Sequence, residues 1–265
     1  MITAGVDIGS LSAEALIMED NNILSYSIVR TGPDTKKTSQ EAMDEALRQT
    51  KLNMDDIEYV VATGYGRLVV PFAQKQITEI GCHGRGANWL IPSARTLLDM
   101  GGQDCKAIRI DEKGKVVNFA MNDKCAAGAG RSMEIMSKLL DVSLEEIGEL
   151  SLSLQGEPAT LNDTCVLFTK SDAIALLRED VPKSNILAGC CDGLVNRVVA
   201  LLKRVGIEGD FCISGGIGKN SGVTRRLEDK LGIEPKIPKE PQIVGALGAA
   251  LFARDRLIKS KKQKK

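Results

Sequence analysis

The sequence predicts an α/β fold made of two similar halves, and two observations support this prediction. A glycine turn that bears an aspartate joins predicted strands twice, at residues 7–10 and again at residues 99–102. In each half the strands are followed by helical segments, so the order of the elements repeats along the chain. Glycine turns are common, and coincidence is therefore the alternative to a true repeat. With that alternative open, we expect two α/β halves with a cleft between them.

The first half begins with a meander of strands. Hydrophobic periodicity predicts strands at residues 2–8, 13–19, 23–30 and 59–63. A helix is expected at residues 39–49, where Ala42, Ala46 and Leu47 share one face. Ser39 is the expected N-cap of that helix.

The second half begins with its own strand–turn–strand group and continues mainly in helices. Strands are expected at residues 96–100, 106–110, 116–121 and 210–214, and helices at about 127–140, 143–150, 170–178 and 184–204. Residues 1–97 and about 242–260, with a last helix at about 242–258, are assigned to the first half, and residues 98–241 to the second. The basic residues 259–265 are expected to form a disordered tail.

The composition excludes several classes of protein. Of the 265 residues, 43% are hydrophobic and 26% are charged, as in a folded globular protein. The formal net charge is zero, so no nucleic-acid partner is expected. The longest apolar run, residues 243–253, is too short to span a bilayer, and the N-terminus lacks the basic region of a signal peptide. We expect a cytoplasmic protein with no membrane partner.

The first glycine turn is typical of a phosphate-binding loop. Gly9 and Ser10 follow the first strand directly, where backbone N–H groups can approach an anion closely. Asp7 precedes this turn and suits a carboxylate that holds Mg²⁺ directly or through water. These residue types predict contact with a phosphate group and its metal ion.

The second turn offers the same chemistry from the other half. Asp99, Gly101 and Gly102 repeat the arrangement, and two such loops facing each other can clamp a polyphosphate. Gln103 and Asp104 follow at once and are candidates for orienting an attacking water.

A third glycine-rich turn, at residues 214–220, can admit an adenosine against bare backbone. The sequence contains neither a Walker A lysine motif nor a GxGxxG with a downstream acidic residue. Each turn alone is a weak signal, whereas the three in this order predict a nucleotide site.

Two of the seven cysteines are placed to bind an anionic group. Cys125 lies just ahead of one predicted helix, and Cys165 lies shortly before another. A helix N-terminus lowers the pKa of a thiol and favours an anionic ligand. Because a cubane iron–sulfur cluster needs about four thiolates, a two-fold partner chain that gives the same pair would complete the site. The alternative is that both are ordinary buried thiols. The other five cysteines are expected to be structural: Cys82, Cys105, Cys190, Cys191 and Cys212.

A set of motifs resembles one protein family. The motifs are GVDIGS (5–10), ATGYGR (62–67), ITEIGCHGRGAN (77–88), LDMGGQDCK (98–106), NDKCAAGAGR (122–131), NDTCVLF (162–168), SGGIGKNSGV (214–223) and GALGAALFA (245–253). In this order they resemble the activator ATPases (component A) of 2-hydroxyacyl-CoA dehydratases. That family also contains the ATPase subunits of benzoyl-CoA reductase. NDKCAAGAGR is highly specific.

The resemblance implies the sugar kinase/Hsp70/actin fold, with two ribonuclease-H-like halves around an ATP cleft. It also implies a homodimer with one [4Fe–4S] cluster between the subunits, held by Cys125 and Cys165. The implied catalytic residues are Asp7, Asp99, Gln103 and Asp104. The implied nucleotide-binding residues are Gly9, Ser10, Leu11, Ser12, Gly101, Gly102, Gly128, Gly130, Gly215, Gly216 and Asn220. By resemblance, ATP and Mg²⁺ drive a swing of the helices that flank the cluster. One low-potential electron, received from a ferredoxin or flavodoxin, then passes to a partner enzyme.

Three positions bear on these expectations. Relatives often have lysine in place of Glu14, near the first phosphate loop, and an acidic residue in place of Lys170, near the second cluster cysteine. The first departure bears on phosphate contacts, and the second on cluster potential or partner docking. His83, the only histidine, is expected to have a structural or interdomain role, because nothing pairs it with a nucleophile.

Three functions remain open from the sequence. The leading one is an ATP-dependent electron donor to a dehydratase, with a benzoyl-CoA reductase-type or double-cubane protein as the alternative acceptor. The second is a small-molecule kinase of the same fold, in which the cysteines are incidental. The third is a regulatory module that keeps the fold and has lost hydrolysis.

Overall fold

The computed structural model describes residues 1–122 and 129–263. The chain divides into two compact units: unit 1 is Met1–Arg95, Ile110–Val117 and Pro238–Lys265, and unit 2 is Thr96–Arg109 and Asn118–Ile237. The sequence-based division places residues 110–117 in the second half, and here the structure differs. The reason is a close contact with Gly84, where a Cβ would lie 3.0 Å from Ile110 Cγ2 and 3.1 Å from the Gly114 carbonyl oxygen.

Unit 1 is built on a five-stranded sheet in the order β3-β2-β1-β4-β5. Its strands are β1 (Ile2–Ile8), β2 (Ser12–Glu19), β3 (Asn22–Arg30), β4 (Tyr59–Gly64) and β5 (Lys75–Gln76). β2 pairs antiparallel with β1 and β3, whereas β4 pairs parallel with β1. The ends of β1 and β4 therefore meet at the same edge of the sheet.

Helices cover both faces of this sheet, because its strands have apolar side chains on both faces. α1 (Thr35–Arg48) packs Ala42 and Met43 into the cluster of one face that contains Val6. α8 (Val244–Gln263) packs Leu247 into the cluster that contains Leu16. α2 (Glu79–Leu90) lies directly on α8. This approach requires glycine at position 248, where a Cβ would lie 1.8 Å from the carbonyl oxygen of Cys82.

The second sheet has four strands in the order β8-β7-β6-β9. They are β6 (Ala94–Met100), β7 (Cys105–Ile110), β8 (Val116–Met121) and β9 (Asp210–Ser214). The helices of unit 2 are α3 (Gly130–Leu140), α4 (Glu146–Leu152), α5 (Val166–Arg178), α6 (Lys183–Val205) and α7 (Ser221–Leu231). Its core gathers Leu187 and Val198 of α6 with Leu98 and Phe211 of the sheet.

α6 is the one helix, within the described part of the chain, that is long and apolar enough to cross a membrane by length and composition. Of the apolar stretch of α6 that is long enough for this, 61% is buried inside the protein. Because its apolar side chains belong to the core of unit 2, α6 has the character of a core helix.

Several elements differ from the sequence-based expectations. α1 begins at Thr35 because Asp34, not Ser39, is its N-cap and accepts a hydrogen bond from Lys37 N at 3.0 Å. α2, α7 and β5 are not among the predicted elements, and three glycines within α2 mask its helical pattern. Residues 259–263, expected in a disordered tail, continue α8, where Lys261 Nζ lies 2.7 Å from Glu58 Oε2.

Candidate functional site

The turn between β1 and β2, which we call loop 1 (residues 7–14), is closed by a backbone hydrogen bond. Gly9 N donates to the carbonyl oxygen of Ser12 at 3.0 Å. A Cβ at position 9 would lie 2.7 Å from that oxygen, so the turn requires glycine. Thr31 fixes the other side, since its Oγ1 donates to Gly9 O at 2.9 Å and its N donates to Leu11 O at 2.9 Å. The predicted phosphate loop is therefore a rigid turn.

Asp7 lies at the start of loop 1 and is only 7% exposed. Its Oδ2 lies 3.7 Å from Nε2 of His83, on α2. Gly245, at the start of α8, leaves room for both groups: a Cβ there would lie 2.0 Å from Asp7 Oδ2 and 2.8 Å from His83 Nε2. The sequence gives no sign of this pair, because α2 is itself not predicted. His83 thus contacts the carboxylate expected to serve the metal ion.

A second glycine, Gly64, supports the same carboxylate from β4. It has a φ of +81°, and a Cβ there would lie 2.2 Å from Asp7 Oδ1 and 2.6 Å from the Ile8 carbonyl oxygen. Sequence reasoning did not single out this glycine, although it lies in the ATGYGR motif. The sequence feature that could have identified Gly64 is its position as the last residue of a buried strand.

Glu14 occupies the position opposite Asp7 in the β1–β2 ladder. It is 4% exposed, and Gln242 Nε2 contacts its Oε1 at 3.5 Å and Ser12 Oγ at 3.4 Å. Directly opposite residues in such a ladder lie close together. Loop 1 therefore has two buried acidic side chains facing across its strands.

The turn between β6 and β7, which we call loop 2 (residues 99–106), repeats the backbone of loop 1. Gly101 N donates to the carbonyl oxygen of Asp104 at 3.0 Å. Asp99 is opposite Lys106 in the ladder, as Asp7 is opposite Glu14. The repeat predicted from the sequence is thus present in the hydrogen bonding of the two loops.

Lys106 is the feature of loop 2 that sequence reasoning missed. Its side chain is buried, with Nζ 2.6 Å from Asp104 Oδ1 and 3.6 Å from Asp99 Oδ2. A lysine near the start of a mainly buried strand was the available signal, since lysine is rarely buried without a partner. The structure brings the predicted Asp99 and Asp104 together through this ammonium group.

The end of β9 lies beside the end of β6 in unit 2. Ser214 Oγ donates to Asp99 Oδ1 at 3.3 Å. Gly215 has a φ of +86°, and a Cβ there would lie 2.3 Å from the Met100 carbonyl oxygen and 3.0 Å from Asp99 Oδ1. Gly215 is therefore the counterpart of Gly64.

The rest of this turn leads into α7. Gly216 begins a short 3₁₀ helix, Gly216–Lys219. Asn220, predicted to bind adenosine, has its side-chain oxygen engaged as the N-cap of α7, where it accepts from Val223 N at 3.1 Å. Its amide NH₂ group and the second lone pair of that oxygen remain for a nucleotide role.

Loop 2 also holds the start of α3. Gly130 N donates to Gly101 O at 3.0 Å, and Arg131 N donates to Gly102 O at 2.7 Å. At position 130 a Cβ would lie 3.3 Å from both Gly101 O and Gly102 Cα. These bonds satisfy N–H groups that a helix start leaves free. Two other predicted residues, Cys125 and Gly128, lie outside the described residues.

Cys165 is the N-cap residue of α5 and is half-buried. Its carbonyl oxygen accepts from Thr169 N at 2.9 Å and from Thr169 Oγ1 at 3.0 Å. Its Sγ makes no capping hydrogen bond. The helix begins four residues earlier than the predicted 170–178, which places Cys165 at the N-terminus of the helix itself. Lys170 is exposed one turn further along α5.

The surface next to Cys165 is apolar. Leu167 is 70% exposed and Phe168 is 59% exposed, both in the first turn of α5. Large exposed apolar side chains side by side are typical of a surface that another protein covers.

Of the remaining cysteines, Cys82, Cys105, Cys191 and Cys212 are buried and Cys190 is half-buried. Burial raises the pKa of Cys191 to about 11 and the pKa of Cys82, Cys190 and Cys212 to about 12. Burial likewise raises the pKa of Cys105, with the Asp99 carboxylate adding to the effect. Residues 1–122 and 129–263 contain no group of three or more His, Cys, Asp or Glu side chains placed to hold a metal ion.

Residues 4–253 match the model of the BadF/BadG/BcrA/BcrD ATPase family. The chain belongs to this ATPase family. The activator of lactoyl-CoA dehydratase from Anaerotignum propionicum is 42% identical over 254 residues, which are 96% of this chain and 97% of that protein. The family resemblance predicted from the motifs is therefore confirmed.

Solved structures agree with this assignment. The ATPase is similar to the activator of the 2-hydroxyisocaproyl-CoA dehydratase from Clostridium difficile with bound ADPNP, with a TM-score of 0.94 and 38% identity over 99% of this chain and 98% of that one. A ROK family glucokinase from Streptomyces griseus shares the fold alone, with a TM-score of 0.57 and 16% identity over 96% of this chain and 100% of that one. The predicted sugar kinase/Hsp70/actin fold class is confirmed.

Proposed function

We propose that this ATPase couples ATP hydrolysis to the transfer of one low-potential electron to a 2-hydroxyacyl-CoA dehydratase. The observation that supports it best is the pair of hydrogen bonds from Gly130 and Arg131 to loop 2. Cys125 precedes Gly130 by five positions in the sequence. A change in loop 2 on hydrolysis therefore acts directly on the helix that follows this cysteine. The names of the two similar activators agree with a dehydratase as the partner.

In this proposal the residues of both loops serve ATP binding and hydrolysis. Ser10 gives its backbone N–H group to the phosphates, while the Gly9 N–H closes the turn by donating to the Ser12 carbonyl oxygen. Asp7 holds Mg²⁺, directly or through water. Gln103 and Asp104 orient the attacking water. The turn at Gly215 and Gly216 admits the adenosine against bare backbone, and the NH₂ group of Asn220 faces the same ligand. Leu11, Ser12, Gly101, Gly102 and Gly128 complete the proposed nucleotide site.

Cys125 and Cys165 of two chains are the proposed ligands of one [4Fe–4S] cluster. Such a cluster supplies a one-electron carrier of low potential. Cys165 suits this role, because it lies half-buried at a helix N-terminus, where the positive end of the helix dipole favours an anionic cluster. The exposed Leu167 and Phe168 beside it support a second copy of the chain as the cover. A ferredoxin or flavodoxin in the cytoplasm is the proposed electron donor.

Iron analysis of anaerobically purified protein tests the cluster. We expect about four irons and four sulfides per dimer in the wild type and none in Cys165→Ser or Cys125→Ser. Cys190→Ser is the matched control, because Cys190 is also in unit 2 and burial raises the pKa of its thiol. An iron-free wild type after anaerobic reconstitution would refute the proposal.

Nucleotide binding by the same variants tests whether the two sites are separate. Cys165→Ser should bind ADP with wild-type affinity, since no predicted nucleotide-binding residue lies in α5 or its N-cap. Equal loss of ADP affinity and of iron would contradict this separation. Asp7→Ala and Asp99→Ala should abolish hydrolysis, and a wild type no faster than these variants would point to a regulatory module instead.

The acceptor is tested with purified partners. The reduced, cluster-loaded protein should activate a 2-hydroxyacyl-CoA dehydratase only when ATP is hydrolysed, with no activation by Asp99→Ala. Activation of a benzoyl-CoA reductase-type or double-cubane protein instead would keep electron transfer and change the partner.

A further inference from the structure

Lys106 places a buried positive charge where two acidic side chains of loop 2 converge. It lies on β7 directly opposite Asp99 and is 3% exposed. Its Nζ is within hydrogen-bond distance of Asp104 Oδ1, at 2.6 Å, and 3.6 Å from Asp99 Oδ2. A buried ammonium group is retained only with such partners. The three side chains therefore form one unit, with two negative charges and one positive charge.

Loop 1 has the same backbone and has an acidic residue at this place in the ladder. The position equivalent to Lys106 is Glu14, which lies opposite Asp7 as Lys106 lies opposite Asp99. Glu14 is contacted by the uncharged amide of Gln242. The two loops thus differ in the sign of one buried charge at the same place in the ladder. An added divalent cation is attracted to the acidic pair of loop 1 and is opposed by the ammonium group of loop 2.

Lys106 also fixes the direction of the Asp104 side chain. Lys106 contacts one carboxylate oxygen, Oδ1, while the backbone of Asp104 closes the turn by accepting from Gly101 N. Ser214 Oγ fixes Asp99 in the same way, by donating to its Oδ1. With its Oδ1 held by Lys106 and its backbone held by Gly101, Asp104 keeps its second oxygen in a defined direction. A group that orients an attacking water needs such fixation, because small displacements slow a reaction greatly.

We propose that Lys106 is a positioning residue for ATP hydrolysis, which acts as the built-in cation of loop 2. It fixes Asp99 and Asp104 for the attack on the terminal phosphate, and it keeps a second divalent cation out of this loop. The inference rests on the proposed role of loop 2 in hydrolysis. It does not depend on the cluster or on the partner enzyme.

Lys106→Met tests the proposal, because methionine keeps an unbranched side chain and removes the charge. We expect kcat for ATP hydrolysis to fall about 100-fold, while the Kd for ADP changes by less than about threefold. Lys236→Met is the matched control: Lys236 also pairs with a carboxylate in unit 2, Asp210 at 2.5 Å, but at the surface. Its kcat should not change. Equal losses of ADP affinity and kcat in a folded Lys106→Met protein would indicate a purely structural lysine and overturn the proposal.

A double-mutant cycle tests whether Lys106 acts through Asp104. In Asp104→Asn the group to be positioned is already lost, so adding Lys106→Met should lower kcat little further. Additive losses would contradict the proposal. If Lys106→Met fails to bind ADP because it does not fold, Lys106→Arg decides. It keeps the charge and should retain kcat within about tenfold of the wild type, whereas a loss as large as that of Asp104→Asn would overturn the proposal.

Mn²⁺ binding gives a readout that is independent of turnover. Titrated by electron paramagnetic resonance with a non-hydrolysable ATP analogue, Lys106→Met should bind one more Mn²⁺ per chain than the wild type. The same count in both proteins would overturn the exclusion of a second cation. The Mn²⁺ count requires neither iron nor electron transfer. A protein without a cluster would therefore refute the proposed electron transfer, while the role of Lys106 could still be tested.

Discussion

Loop 1 and loop 2 share a backbone and differ in the charge at one buried position. In each, a glycine N–H donates to the carbonyl oxygen three residues later, at 3.0 Å in both cases. In each, an aspartate two residues before that glycine faces a buried charged residue across the ladder, Glu14 in loop 1 and Lys106 in loop 2. Both loops therefore need the same turn, whereas the residue opposite the aspartate differs in charge between them.

The two loops are also supported by equivalent glycines on the neighbouring strand. Gly64 ends β4 and Gly215 follows β9, with φ of +81° and +86°. A Cβ at either position would meet a carbonyl oxygen at the end of the first strand and the Oδ1 of the aspartate. The strand ends therefore approach so closely that only glycine fits in either unit.

The largest effect is expected from Gly64→Ala and Gly215→Ala, which test whether the two units are equivalent. Each adds a Cβ within 2.6 Å of a carbonyl oxygen at a positive φ. Each should lower the free energy of unfolding by about 3 kcal/mol or more. ATP hydrolysis should fall at least about 100-fold, because the aspartate of that loop is displaced. Urea unfolding and initial-rate assays measure the two effects.

Gly232→Ala separates the clash from the backbone strain. Gly232 has a φ of +64°, and nothing lies within 4 Å of a Cβ built there. Gly232→Ala should lower the free energy of unfolding by only about 1–2 kcal/mol and leave ATP hydrolysis unchanged. If Gly64→Ala lowers the free energy of unfolding no more than Gly232→Ala, while Gly215→Ala lowers it further, the two loops are not equivalent.

The sequence predicts the loops well because their determinants are local. Asp7 and Gly9, like Asp99 and Gly101, lie two positions apart at the end of an apolar strand, and that spacing alone indicates a turn with an acidic group beside it. The supports of these loops come from elsewhere in the chain. Gly64 and Ser214 reach the aspartates through strand neighbours that are distant in sequence, and no local pattern reports such contacts.

Long-range packing also explains the missed helix. α2 contains three glycines, and the low helix propensity of glycine predicts a loop at such a segment. Those glycines are there because α2 approaches α8 closely: a Cβ at Gly86 would lie 2.1 Å from the carbonyl oxygen of Val244. His83 reaches Asp7 only because of that approach. The expectation of a structural role for His83 therefore left out its contact with the candidate site.

Glu14→Gln probes the charge difference from the side of loop 1. It removes the second acidic charge opposite Asp7 and keeps the side-chain shape. We expect the Mg²⁺ concentration for half-maximal ATP hydrolysis to rise about fivefold, which corresponds to about 1 kcal/mol of lost attraction. Glu58→Gln, at the surface of the same unit and paired with Lys261, is the control and should have no effect. An unchanged Mg²⁺ requirement in Glu14→Gln would mean that the acidic partner does not serve the cation.

The smallest effect is expected from alkylation of the buried thiols near each loop. Burial raises the pKa of Cys82, beside His83, and of Cys212, two residues before Ser214, to about 12 in both cases. A raised thiol pKa means that the protonated, unreactive form persists at pH 8, with a thiolate fraction of about one in 10⁴.

In iron-free Cys125→Ser protein, iodoacetamide at pH 8 should therefore modify Cys165 and leave both buried thiols intact, as mass spectrometry of peptides would show. Denaturation in urea should make all of them reactive. Labelling of Cys82 without labelling of Cys212 would show that unit 1 opens more readily than unit 2, so the shared backbone of the two loops would not bring equal local stability.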